Sequence, residues 1–354
     1  MFQVFTSSQL SNDEYHSNEG WAAEYVSGSS LAEIYQTCPA NWRFKKNETT
    51  KALEFGTQSH TNFESRDLFT ATYARCPAPT EFKDLITSQT SLAAKLKSFG
   101  LKGTSGKQYP DLIKMMVDCG EELNVQYLIE LIAEAEARAE GKQLVDADKY
   151  DACMKMRAIL EQNPDHEACI NSETAQREIS IFGEISGVKV KVRLDHLDYK
   201  ENVPGRVLTG YDENGDPVFE DVIFPEALII TDFKTTMSAN PLEFPRLAYN
   251  HGYYLKMALQ HDLLRRAIQA GAFEGNFPED IPIVVRLLAQ EKKEPYIALA
   301  YRMTMEQIRI GRNQYISVVH TYKACSEMDV WPGYAGDASE IELETPSWVR
   351  YQNK

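Results

Sequence analysis

Apolar positions change their spacing along this chain, and the changes mark out its elements. Between about residues 110 and 163 they recur three and four apart. Val125, Leu128, Ile129, Leu131 and Ile132 form one stripe, and Met154, Met156, Ile159 and Leu160 another, which predicts helices. A methionine stripe at helical spacing reads as core packing. From residue 176 the period becomes two. Gln176, Glu178, Ser180 and Phe182 alternate with Arg177, Ile179 and Ile181. Val188, Val190, Val192 and Leu194 alternate with Lys189, Lys191, Arg193 and Asp195. These are two strands joined through Glu184-Ile185-Ser186-Gly187, a hairpin signal. An apolar run ending in Thr231-Asp232-Phe233-Lys234-Thr235-Thr236 predicts another strand.

The remaining segments fall between these. Ser27 to Ser30 cap a short helix over Leu31 to Tyr35, and Ala52 to Phe63 reads as helical. Residues from about 66 to 80 suggest a short strand and loop. A long helical pattern runs from Pro245 to Ala270. Strands follow at Ile281 to Ala289 and Tyr296 to Arg302, then a helix from Met305 to Cys325. The acidic turn Tyr211 to Pro217 superficially resembles a calcium loop. Ile223 stands at the twelfth position, where a calcium loop needs an acid, so the turn reads as an ordinary hairpin. Strands cluster without strict alternation with helices. The predicted class is α/β in the mixed α+β sense, with a central mixed sheet and helices packed on it. One domain over residues 1–354 is expected, with a helical insertion at about 110–165 and a tail at about 330–354.

Composition narrows the picture. A chain of 354 residues with 43% apolar content can bury a sizeable core. No apolar run reaches the roughly 18 residues of a membrane span, and the first residues lack a signal-peptide pattern, so no membrane association and a cytoplasmic location are expected. The six cysteines form no C-x-x-C pair, so no Fe–S cluster is expected and buried free thiols are the simplest reading. A net charge of −15 argues against general adhesion to nucleic acid, which needs lysine and arginine at the phosphates. A focused cationic channel on an acidic body remains compatible with it.

The candidate chemistry sits at two strand ends. Alternation puts Asp232 and Lys234 on one face and Phe233 on the other. A carboxylate beside an ammonium can hold a metal ion and stabilise a developing anion. Asp195 ends a strand face that also carries Lys189, Lys191 and Arg193. Alternating charges usually mean a solvated face; beside Asp232 and Lys234 they suit a polyanion passing a metal site. Phosphodiester hydrolysis needs a bound cation at the phosphate, a charge opposing the transition state and help in deprotonating water. Asp195 and Asp232 supply hard oxygen ligands for Mg²⁺, and Lys234 a stabilising charge. The Phe233 carbonyl could complete the shell, and Glu178 could hold a second ion or position water. His60 is by itself an ordinary histidine, yet its imidazole could serve as a further ligand, one that suits Mn²⁺. Thr235 and Thr236 offer hydroxyls to a phosphate.

Several segments together resemble the RecE-like exonucleases of the PD-(D/E)XK nuclease superfamily, kin to lambda exonuclease. Tyr25-Val26-Ser27-Gly28-Ser29-Ser30-Leu31 with Cys38-Pro39-Ala40, Phe55-Gly56-Thr57-Gln58-Ser59-His60, and Glu178-Ile179-Ser180 are similar to motifs of that family. So are Gly187 to Asp195, Thr231 to Thr236 and Gln290 to Tyr296, in the same order. The resemblance implies a PD-(D/E)XK sheet-and-helix core. It implies Mg²⁺-dependent digestion of one strand of linear double-stranded DNA, 5′ to 3′, leaving 3′ overhangs for recombination and repair. It also implies up to two ions per site, with Mn²⁺ able to substitute. Implied partners are DNA ends, further copies of the chain in a trimeric or tetrameric ring, and a single-strand annealing protein. By matched position His60, Asp195, Asp232 and the Phe233 carbonyl are metal ligands, Glu178 assists, and Lys234 is catalytic. Ser29 meets the terminal 5′-phosphate. One departure stands out: where relatives carry Q-x-x-x-Y, this chain has Lys256 and Gln260, and Lys256 becomes a phosphate-gripping candidate with less directionality. Two other functions compete with the exonuclease. One is an endonuclease or nickase on the same core; the other is a DNA-binding subunit without catalysis, which the intact Asp195, Asp232 and Lys234 disfavour.

Overall fold

The computed structural model describes residues 2–46, 50–81, 86, 88–119, 134–139, 141–275, 277–336, 338–346 and 349. The predicted stripe Val125, Leu128, Ile129, Leu131 and Ile132 lies outside them. The chain forms two units, Met1–Thr50 with Glu167–Lys354, and Lys51–His166.

The first unit is built on a mixed seven-stranded sheet. Its strands are β1 (Gln3–Phe5), β2 (Val26–Ser27), β5 (Gln176–Ile185), β6 (Val188–Tyr211), β7 (Pro217–Thr236), β8 (Ile283–Glu291) and β9 (Ala298–Arg302); β3 and β4 lie in the other unit. The order is β1-β5-β6-β7-β8-β9, with β2 paired to β6. The β7–β8 and β2–β6 ladders are parallel and the others antiparallel. The β5–β6 connection is tighter than the sequence suggests: Ser186 and Gly187 alone form the turn, with φ of 52° and 80°. Both central residues in the left-handed region define the hairpin turn whose twist matches the strands.

The β6–β7 ribbon pairs from His196↔Thr231 out to Tyr211↔Pro217. At its tip the Asp212 carboxylate accepts the backbone N–H groups of Asn214 (2.9 Å) and Asp216 (2.8 Å). The acidic cluster is therefore satisfied as a hairpin turn, and its resemblance to a calcium loop is superficial.

Helices Gly28–Gln36, Tyr253–Gln269 and Met305–Met328 cover one face of the sheet. Leu31, Leu255, Leu259, Leu263 and Val318 pack against Val190, Val192, Leu194, Ile230 and Leu287 in one buried cluster. On the other face Leu10, Tyr15 and Ala22 close over Phe182. The Pro245–Ala270 pattern is divided, with Phe244–Asn250 ending at His251 and a new helix starting after Gly252, whose φ is 68°. Among the described residues, no helix is long and apolar enough to cross a membrane.

Gly311 sets the spacing of the two long helices. A Cβ there would lie 2.0 Å from the Tyr254 carbonyl oxygen and 2.8 Å from the Ala258 Cβ. The backbone carbonyl has little room to yield, so the gain in helix propensity from alanine is outweighed by overpacking. Gly311→Ala is expected to destabilise the first unit by about 1–3 kcal/mol, read as a lower melting temperature by circular dichroism.

In the second unit Ser65 caps helix Arg66–Thr72, its Oγ accepting the Leu68 N–H at 3.2 Å. Residues 66–72 are thus helical where a strand and loop were expected, and the short strand β3 (Tyr73–Arg75) follows, pairing in parallel with β4 (Gln143–Val145). Arg157 of helix Ala147–Gln162 donates to the Asn62 and Phe63 carbonyls at 2.5 and 3.1 Å. Those carbonyls lie in the last turn of helix Lys51–Glu64, so the guanidinium satisfies orphan acceptors and ties the helices together. Met156 and Leu160 are buried, as core packing of the methionine stripe requires.

Candidate active site

The site lies where two paired strands part. The β6–β7 ladder ends at His196↔Thr231, and Asp195 and Asp232 are the next residue on each strand. Beyond them β6 stays with β5 and takes up β2, through Val26↔Val190 and Ser27↔Lys191. Strand β7 stays with β8 to Thr236↔Glu291. The resulting fork leaves room for side chains between two strands that are otherwise continuously bonded. Across it the Phe233 backbone N–H donates to Asp195 Oδ2 at 3.0 Å.

Alternation fails at this level. Leu194 and Leu197 both enter the core cluster, a spacing of three that a regular strand forbids. The phase of the strand changes at Asp195–His196 with no shift of register against β5. Opposite, the β5 ladder passes from Arg177↔His196 to Ile179↔Leu194, and Glu178 between them has φ of 55°. A left-handed glutamate inside a strand is strained, and such strain collects at functional sites. Glu178 and Asp195 offer carboxylate oxygens within 4.8 Å of each other, and Glu178 Oε2 lies 3.8 Å from Arg193 Nη1.

Lys234 gathers the other groups. Its ammonium pairs with Asp232 Oδ2, lies 3.8 Å from Asp195 Oδ2 and donates to the Phe233 carbonyl at 3.2 Å. Asp232 is 4% exposed. Burial and the neighbouring Asp195 charge push its carboxyl pKa up, against the pull of Lys234. Burial alone would lower the Lys234 pKa, but Asp232 and Asp195 together raise it, so the lysine stays charged. Two carboxylates thus share the Lys234 ammonium directly, with the Lys256 charge acting on them from farther off. That donor set, hard oxygens with more negative charge than the lysine offsets, fits a divalent cation.

Helix Tyr253–Gln269 supplies the wall. Gln260 donates through Nε2 to Asp232 Oδ1 (3.4 Å) and to the Arg193 carbonyl (3.3 Å). The Tyr253 ring lies 5.8 Å from Lys234 Nζ and 5.3 Å from Lys256 Nζ, within cation–π range. Burial and repulsion by Lys234 lower the Lys256 pKa, while Asp232 and Asp195 partly restore it. Tyr253 went unremarked in the sequence. Its signal was a polar-tipped residue at i, with Lys256 at i+3 and Gln260 at i+7, on one side of the helix.

Other candidates are placed differently. The cationic face of β6 is used inside the fold. Lys191 is 6% exposed and donates to the carbonyls of Tyr15 (2.7 Å) and Ala22 (2.8 Å). Arg193 binds Ser180 Oγ at 2.8 Å and the Leu10 carbonyl at 2.9 Å. Lys189 pairs with Glu24. These side chains anchor the N-terminal segment over the sheet, so Lys191 and Arg193 do not present the open phosphate-binding face that their spacing suggests. Ser29 is exposed in the first turn of Gly28–Gln36, 3.2 Å from Ser27 Oγ, with Ser27 as N-cap. Thr235 is half-buried opposite Gln290. His60 belongs to the second unit, half-buried on helix Lys51–Glu64 with its ring 6.2 Å from Phe63.

Comparison with known proteins adds a partial match. Residues 218–344 match the model of a PDDEXK-like domain of unknown function, DUF3799. That stretch contains Asp232, Lys234, Lys256 and Gln260, while Asp195 and Glu178 precede it. Among solved structures, the chain is similar to a protein from Eubacterium rectale described as a candidate exonuclease, with 12% identity over 97% of this chain and 98% of that one and a TM-score of 0.49. No curated protein matches.

Proposed function

We propose that this chain is a metal-dependent deoxyribonuclease that digests linear duplex DNA from its ends. The observation that carries the reading is the convergence of Asp195, Asp232 and Lys234 at the fork between β6 and β7, within a chain whose residues 218–344 match a PDDEXK-like domain. Asp195, Asp232 and the Phe233 carbonyl would hold the ion, with Glu178 beside Asp195 for a second. When bound, Mg²⁺ or Mn²⁺ supplies positive charge at the scissile phosphate and makes a water more acidic. The protein's own groups do the rest. Lys234 stays charged and opposes the negative charge that builds on the phosphoryl oxygens. Gln260 fixes Asp232 Oδ1, and the Tyr253 ring restrains both ammonium groups. Lys256 grips an adjacent phosphate as a point charge.

The finer assignments rest on the resemblance to RecE-like exonucleases. His60 as a further ligand, Ser29 at a terminal 5′-phosphate, 5′-to-3′ polarity, a ring of identical subunits and an annealing-protein partner belong to the same proposal.

The test uses a linear duplex labelled at its 5′ or 3′ ends and a covalently closed circle of the same sequence, each with Mg²⁺ or with chelator. Mg²⁺-dependent release of mononucleotides from 5′ ends, with the circle left intact, is the expected result. Cutting of the closed circle would replace the exonuclease reading with an endonuclease. No Mg²⁺-dependent release from either end would remove catalysis altogether.

A further inference from the structure

At the other end of β8 lies a cavity of about 480 Å³. It is bounded by the β6–β7 ribbon, helix Tyr253–Gln269, the first residues of β8 and the turn into helix Met305–Met328. The catalytic carboxylate is remote from it along the sheet. Asp232 sits opposite Leu287 and Leu228 opposite Ile283, a separation of roughly 13 Å at the usual strand rise.

The lining has two characters. Arg206, Arg265, Arg302 and Arg312 all reach it, against one lining carboxylate, Asp262. That carboxylate is already held by Arg312 through two bonds of 2.5 and 2.6 Å and by the Tyr315 hydroxyl at 2.6 Å. Arg265 donates to the carbonyls of Glu279 and Ile281, which orients its guanidinium without neutralising it. Among the described residues Arg206 pairs with Asp221, 86% exposed, at 3.2 Å and lies 4.8 Å from the Phe219 ring centroid, and so exposed a pair is weak. Arg302 is exposed at the rim. The second character is apolar: Phe224, Val284 and Met303 form the floor. A site with an excess of guanidinium and an apolar wall suits a ligand with a phosphate at one end and a flat, weakly polar body at the other.

We infer that this cavity binds a nucleoside 5′-phosphate, separately from the cleft at Asp232 and Lys234. The phosphate is met by the arginines, with Arg302 and Arg206 at the mouth, and the base lies against Phe224. The shared chemistry fits a free nucleotide or the phosphorylated end of a single strand.

The test measures binding by calorimetry in chelator, so that hydrolysis plays no part. Deoxyadenosine monophosphate, deoxyadenosine, inorganic phosphate and a 5′-phosphorylated oligothymidylate are each titrated into the full chain, into Arg206→Gln/Arg302→Gln and into Asp232→Asn. The first variant changes two exposed or rim arginines, so folding should survive. Binding of the monophosphate, weakened about tenfold or more by the arginine pair and unchanged in Asp232→Asn, is expected. Oligothymidylate binding alone, with the same arginine dependence, supports the inference with a strand end as the source. Equal binding of deoxyadenosine, or of inorganic phosphate, to that of the monophosphate would overturn it, as would full binding in the arginine variant or no binding of either nucleotide. Nuclease activity is scored separately, so loss of the catalytic proposal leaves this result standing.

Discussion

Asp232→Asn is expected to lower DNA hydrolysis by at least ~10²–10³-fold while leaving the melting temperature unchanged or slightly higher. The two effects separate because Asp232 is costly to the fold. It is buried, its carboxyl pKa is pushed up, and Asp195 and Asp232 compete for Lys234. Asparagine keeps one of the two acceptor oxygens and removes a charge that burial and Asp195 already disfavour, which offsets the lost ion pair with Lys234. Lys234→Met acts in the opposite sense. It leaves two carboxylates without their ammonium, so catalysis falls by a similar factor and the metal-free protein loses stability. Thermal melts with and without Mn²⁺ complete the argument. A ligand that binds only the folded state adds about 2.7 kcal/mol at a hundredfold excess over its Kd. Wild type should show that shift, and Asp232→Asn should show little of it. An Asp232→Asn protein that degrades linear duplex at the wild-type rate would remove Asp232 from the chemistry.

Much of this site was legible because it rests on local pattern. An apolar run ending in Asp232-Phe233-Lys234 fixes which side chains share a face, and Ser186-Gly187 fixes the hairpin that feeds β6. What the sequence could not show was covering and interruption. Lys189, Lys191 and Arg193 have the spacing of an open cationic face, but the N-terminal segment folding back onto Phe182, together with Ser180 and Glu178 of β5, gives their charges internal partners. Likewise, strict alternation gives no warning of the step between Leu194 and Leu197 or of the left-handed backbone at Glu178. Both are set by where β6 must leave β7, a tertiary demand that overrides the local period. The Pro245–Ala270 pattern reads as one helix because its apolar stripe runs on, and the break is carried by the single residue Gly252.

The largest stability effect is expected at Asp262, two residues past Gln260 on the same helix and therefore on its opposite side. Asp262 is 6% exposed and accepts from Arg312, from the Tyr315 hydroxyl and, at 2.8 Å, from His261 Nδ1. The bonds from Arg312 and Tyr315 tie helix Tyr253–Gln269 to helix Met305–Met328, which also approach closely at Gly311. Asp262→Ala leaves a buried hydroxyl and a half-buried guanidinium without their acceptor. Breaking such a pair from one side costs about 3–5 kcal/mol. The Arg312 side chain is 36% exposed and can recover water, which places the loss near the lower figure. For a unit of this size that is a fall of roughly 10 °C in melting temperature. Asp262→Asn should cost less, because it keeps one acceptor oxygen. The same network sets a pH dependence. Burial raises the Asp262 pKa, but the bonds from Arg312, His261 and Tyr315 outweigh it, so the folded value lies well below the ordinary aspartate range. Its stabilisation is therefore complete above about pH 4 and fades as pH falls below it toward the folded value. Acid melts should show wild type losing stability over that range more steeply than Asp262→Asn, which has no carboxyl to protonate there. Parallel acid profiles for the two proteins would mean that Asp262 carries no pH-linked stability.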